Sequence, residues 1–192
     1  MFKSSVSVKS LFDMVDAEVD IRVAITDENM LFWYNSLIRS LYLDIIKSVK
    51  HEKKIVDENR SLNVSDGVEC IKRIVFEGLP ELEKASVLFA SSTERPVWYE
   101  KDATTVVVLN VGKASECSVY SYEIPESADI KNAASVFVPL PDNFVELAKY
   151  RLLAEMYNAA NDDILSAKYF GFYNARLDDF RLWVIQNSSS LN

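Results

Sequence analysis

Glycine is scarce in this chain, with four residues in 192: Gly67, Gly78, Gly112 and Gly171. None opens a GxGxxG or GxxxxGK[ST] loop, so the backbone cradle that such loops build for phosphates has no counterpart. No GxSxG elbow presents a serine nucleophile either. Histidine occurs once, as His51 between Lys50 and Glu52, with no second histidine or cysteine at ligand spacing. Cys70 and Cys117 are the sole cysteines. Two buried, reduced thiols fit them better than a disulfide. The acidic pairs Asp162-Asp163 and Asp178-Asp179 fall in helical pattern, where neighbours diverge by about 100°. They read as caps or solvated faces, not as a carboxylate dyad. No metal, nucleotide or covalent cofactor is expected, and nothing local marks an enzyme. A site assembled from distant residues would leave no such mark.

Long apolar runs are missing too, so no transmembrane helix is expected. Met1-Phe2-Lys3-Ser4-Ser5-Val6 lacks the hydrophobic core of a signal peptide, which points to folding in a cytoplasm. Basic residues are outnumbered, 21 against 29 acidic, for a net charge of −8. Nucleic-acid affinity needs clustered Lys and Arg, so a phosphate-binding surface is not the main role. An acidic surface that lets nucleic acid pass without sticking remains compatible.

What the chain does have is periodic apolar sequence. Leu11, Met14, Val15 and Val19 space a short amphipathic helix between about Val8 and Asp20. Thr26 is a plausible N-cap, with Asp27 and Glu28 in the turn that follows. Leu31, Tyr34, Ile38, Leu41 and Ile45 extend this second helix towards Lys50, with Lys47, Lys50, Lys53 and Lys54 at and beyond its end. Alternation then predicts strands: Val68 to Phe76, Pro96 to Glu100, Thr104 to Leu109, Tyr120 to Ile124, and a short Val136-Phe137-Val138. Pro141 suits a first helical position and Asp142 its first turn. Val145, Ala148, Leu152, Met156 and Ala159 define one helix of a hairpin. After a break at Asn161-Asp162-Asp163, Leu165, Tyr169, Tyr173, Leu177, Phe180 and Val184 define the other.

Helices, then strands, then helices predict an α+β fold. N-terminal helices over 1–54 and a C-terminal helical hairpin over 139–187 flank a small inserted antiparallel β region over 55–138. The whole forms one domain, with 188–192 as a flexible tail.

The hairpin is unusually aromatic. Tyr169, Phe170, Phe172, Tyr173, Phe180 and Trp183 project from several sides of its second helix. A helix that is apolar all round must be covered all round. Either a thick core within the monomer or a subunit interface, where aromatics are enriched, satisfies that need. The uncharged segment from Ile185 to Asn192 is expected to be disordered when free.

This layout resembles the head-to-tail adaptor proteins of tailed bacteriophages, including the tail tubular protein A type of short-tailed phages. The similarity rests on the helix containing Leu31-Phe32-Trp33-Tyr34-Asn35-Ser36-Leu37, the Pro96-Val97-Trp98-Tyr99 segment, and Leu140-Pro141-Asp142-Asn143-Phe144 leading into the long hairpin. It spans nearly the whole chain as architecture, without a catalytic motif. The resemblance implies a structural virion protein, not an enzyme. Wedge-shaped subunits, usually twelve, would form a ring beneath the portal protein and pass the DNA through its centre. Helices would pack on neighbours and on the portal, and the β region would meet other tail or connector proteins. The interface residues this implies are Tyr169, Phe170, Phe172, Tyr173, Phe180 and Trp183, with Leu191 anchoring an ordered tail. A tail-completion protein at another joint of the particle, and a small-molecule binding module or enzyme with a composite pocket, are the alternatives.

Overall fold

The computed structural model describes residues 2–19, 25–113 and 115–187. The chain is an α+β protein that divides into two compact units. One comprises Met1–Ile46 with Pro125–Asn192, and the other is the inserted Lys47–Ile124.

The first unit is helical. α1 (Val8–Asp16) starts where the Ser7 hydroxyl accepts the Ser10 N–H, and it buries Val8, Leu11, Phe12 and Val15. α2 (Asp27–Leu41) starts at Thr26, whose hydroxyl accepts the Asn29 N–H, as the sequence predicts. It runs on into a π-helical turn at Tyr42–Ile46, where the buried Tyr42 hydroxyl donates to the Pro139 carbonyl at 2.9 Å. α4 (Val145–Ala159) and α5 (Asp163–Asn187) form the C-terminal hairpin. Its corner is a Schellman motif: Asp162 N–H donates to the Tyr157 carbonyl and Asn161 N–H to that of Asn158. Asn161 takes the left-handed conformation, φ 59°, that this motif requires. Asp162 then caps α5 by accepting the Leu165 N–H at 3.0 Å.

The inserted unit holds two sheets. One has the order β1-β7-β3, from β1 (Val49–Ile55), β3 (Ile71–Phe76) and β7 (Glu116–Tyr122). The other has the order β2-β6-β5-β4, from β2 (Ser61–Asn63), β4 (Glu83–Lys84), β5 (Val97–Glu100) and β6 (Thr105–Leu109). Pairing is antiparallel except between β4 and β5. Leu62, Ile74, Phe76, Trp98, Val106, Val108, Cys117 and Val119 from both sheets share one apolar core. Cys70 and Cys117 are both buried, and neither forms a disulfide. A single helical turn, α3 (Val87–Ala90), lies between β4 and β5 in sequence.

Several boundaries differ from the sequence reading. The second helix does not reach Lys50, because Lys47 turns left-handed (φ 53°) and Val49–Ile55 becomes an edge strand. Lys50, Lys53 and Lys54 are therefore strand residues, a common guard against edge-to-edge pairing. The β region accordingly begins at Lys47 and ends at Ile124, so 125–138 belongs to the helical unit. Val68–Cys70 is a 3-10 turn that precedes the strand. Val136-Phe137-Val138 forms only an isolated bridge, Ser7 to Phe137, with the N-terminal segment. Pro141 caps a 3-10 turn at Asp142–Phe144, and α4 starts after it. The Asp142 carboxylate accepts the Ser5 N–H and hydroxyl at 2.7 and 3.0 Å, so it ties down the N-terminus. Ile185, Gln186 and Asn187 continue α5 and are not a free tail. The rest of that segment, Leu191 included, lies outside the described residues.

Candidate assembly interface

The aromatic residues of α5 sort into three groups. Phe180 is fully buried, with its ring 5.0 Å from Phe144 and stacked on Trp183 at 6.3 Å. Trp183, half-buried, also meets Phe144 at 5.7 Å and Phe2 at 5.2 Å. These two rings are intramolecular core, and Phe180 has no surface left for a partner. Phe170 and Tyr173, both half-buried, flank the Arg151 guanidinium at 4.8 and 5.5 Å. Burial raises the Tyr173 phenol pKa, against the attraction of Arg151 and Arg181 for the phenolate. Tyr169 stacks on Tyr157 at 5.4 Å. Phe172 lies against Tyr150 at 5.5 Å and remains 47% exposed.

The packed side of α5 is thus filled by its own chain. Its opposite side is not polar. Ile164, Ala167, Gly171 and Ala175 recur there at spacings of three and four, the charged Asp178 follows on the same side, and Leu182 and Ile185 continue beyond it; all are exposed. Ile164 is 83% exposed and Leu182 60%. A methyl group added at Gly171 would meet no atom within 4 Å. Its helical backbone has no positive φ, so the fold itself does not require glycine there. Lys168 interrupts the stripe, its ammonium 5.4 Å from the Tyr169 ring and 5.8 Å from that of Phe172.

The same helical unit carries a shallow, open apolar depression. Segment 125–135 runs beside α2, and a groove of ≈ 430 Å³ opens between them over Leu31, Phe32, Ala128 and Ile130. Phe32 is 69% and Ile130 60% exposed. Glu28, Asp129 and Lys131 rim it. A neighbouring hollow shares Leu31 and Ile130 and is walled by Asp13, Asp16, Asp27 and Lys9. Burial, then Asp27 and then Asp13, raises the Asp16 carboxyl pKa above its ordinary value, and Lys9 opposes this.

These exposed apolar residues escaped the periodicity reading because it looks for the buried face. Ile164 and Leu182 sit outside the stripe that packs on α4, and Phe32 outside that of α2. Among the described residues no cluster of His, Cys, Asp and Glu is arranged to hold a metal, and no helix is long and apolar enough to cross a membrane. No protein-family model and no curated protein sequence matches the chain.

Proposed function

We propose that this chain is a structural subunit of a ring that joins the portal of a tailed-phage head to the tail and lets the genome pass. The observation that carries this reading is the outer face of α5. The 25-residue helix fills one face with its own chain and leaves Ile164 and Leu182 exposed on the other, an arrangement that suits contact with a second protein surface. Two further features support it. The order of a helical unit, an inserted β unit and a long hairpin is that of the adaptors the sequence resembles. The net charge of −8 suits a passage wall that repels the DNA backbone. In this role the helical unit contacts neighbouring copies and the portal, and the β unit contacts other tail or connector proteins. The chain acts without catalysis in the virion, at the head–tail junction, and DNA crosses the ring without specific binding.

Light scattering on the purified chain, alone and with a portal protein from a tailed phage, tests the reading. A concentration-dependent rise to multiples of 21.8 kDa, or a ring formed on the portal, is expected. A chain that stays monomeric in both conditions overturns it.

A further inference from the structure

The outer face of α5 and the groove beside α2 are different in shape and in charge. The first is convex. Over Ile164, Lys168, Gly171, Phe172 and Ala175 it carries one charge, that of Lys168. Asp163, the nearest acid in sequence, points about 100° away from Ile164 around the helix. The second is a shallow apolar depression edged by Glu28, Asp129 and Lys131, beside a hollow in which Asp13, Asp16 and Asp27 outnumber Lys9. Neither Lys168 nor Glu28 has an ion-pair partner among the described residues.

Two convex ridges bury little against each other, and two acidic grooves repel. A ridge placed in the groove of another copy satisfies both, with Lys168 brought to the acidic rim. Gly171 gains a purpose in this arrangement. Alanine there would favour the helix and has room in the isolated chain, so glycine weakens the monomer without local need. Without a side chain it lets the wall of a groove approach the helix backbone.

We propose that Ile164, Lys168 and Phe172 on α5 of one copy seat in the Phe32–Ile130 groove of the next, with Lys168 against Glu28. This rests on the ring reading and specifies its subunit contact. The contact joins unlike patches, so two copies joined by one such contact still present one free ridge and one free groove. Heterologous contacts of this kind close into rings or extend as filaments, and they do not stop at a dimer.

Sedimentation equilibrium on the full chain and four variants tests the pairing. Lys168→Glu and Glu28→Lys should each weaken self-association about tenfold or more, since like charges then face one another. The double variant Lys168→Glu/Glu28→Lys should recover most of that loss. Gly171→Ala should associate more weakly while melting at a higher temperature, which separates a lost contact from a lost fold. Wild-type self-association that both charge reversals and Gly171→Ala leave unchanged overturns the pairing, assigns the ridge to another partner, and leaves the ring standing. Weakening by both reversals without recovery in the double variant overturns the Lys168–Glu28 match. A wild-type chain that stays monomeric at every concentration overturns the pairing and self-association together.

Discussion

Asn35 holds Ala128 by both of its backbone polar groups. The Asn35 side-chain Nδ2 donates to the Ala128 carbonyl at 2.8 Å, and its Oδ1 accepts the Ala128 N–H at 3.0 Å. One side chain on α2 thereby imitates a strand pairing and fixes segment 125–135, which supplies the far wall of the groove. Asn35→Leu keeps the approximate size and removes both bonds. It leaves a part-buried carbonyl and N–H unpaired, for an expected loss of about 1–3 kcal/mol in urea-induced unfolding. Its effect on association should exceed that of Ser36→Ala, an exposed change one residue along the helix.

Phe180 and Phe172 lie eight residues apart on one helix and make opposite demands. Phe180 is 0% exposed and fills space beside Phe144 and Trp183. Phe180→Ala should cost about 3–5 kcal/mol of stability through lost burial and a cavity. Phe172 meets Tyr169 and Tyr150 edge-on and tilted, with the Lys168 ammonium 5.8 Å from its ring. Phe172→Ser should cost about 1 kcal/mol in the monomer, the scale of one aromatic pair, and act mainly on association. Chemical denaturation combined with sedimentation separates the two effects. A Phe172→Ser monomer that melts as low as Phe180→Ala would place Phe172 in the core.

Tyr34 is 2% exposed, with its ring edge-on to Phe12 at 6.2 Å. Its hydroxyl has no hydrogen-bond partner among the described residues. Burial, reinforced by Tyr42, pushes its phenol pKa well up. An unsatisfied buried hydroxyl forfeits its bonds to water, so Tyr34→Phe should be neutral or stabilising by up to about 1 kcal/mol. Thermal unfolding of the variant against wild type checks this, and a clear loss of stability would mean that the hydroxyl has a partner.

The sequence reading succeeds where local chemistry and burial agree. Thr26 is legible because an N-cap needs such a side chain whatever surrounds it, and Asn161-Asp162-Asp163 is legible as the break between the hairpin helices, though not the left-handed turn at Asn161. β5 and β6 are legible because β-branched or apolar residues fill both the local and the tertiary requirement, whereas β7 starts four residues before the expected Tyr120 and buries Cys117, Val119 and Ser121, the parity opposite to Tyr120 and Tyr122. Val49–Ile55 fails because an edge strand with Lys50, His51, Lys53 and Lys54 has the composition of a solvated helix end. Its identity comes from pairing with Glu116–Tyr122, which lies far away in sequence. β4 has two residues and is visible only through its partner β5.

The candidate interface is half legible for a similar reason. Composition marks α5 as too aromatic for one face. It does not tell Phe180, locked against Phe144, from Phe172 at the surface, since that depends on where α4 and the 3-10 turn at Asp142–Phe144 lie. The groove is illegible, because Ile130 and Phe32 are distant in sequence and meet through the Asn35–Ala128 pair.

Asp16 gives the helical unit a pH dependence of defined sign. It ends α1, where the helix dipole disfavours an anion, and burial, Asp27 and Asp13 raise its pKa above the ordinary carboxylate value. The folded state therefore holds the proton more tightly than the unfolded chain. Its favourable contribution is complete below the unfolded pKa of about 3.9 and is lost as pH rises through the raised folded value. At neutral pH the ionised carboxylate is a net cost. Asp16→Asn should thus raise stability at pH 7 by about 0.3–0.5 kcal/mol, a small figure because the side chain is exposed and screened. The gain should shrink in 1 M salt and vanish near pH 3, where wild-type Asp16 is itself neutral. Melting temperatures of both proteins across pH 3 to 7 provide the check. A difference that grows towards low pH would reverse the sign and place Asp16 in a stabilising ion pair.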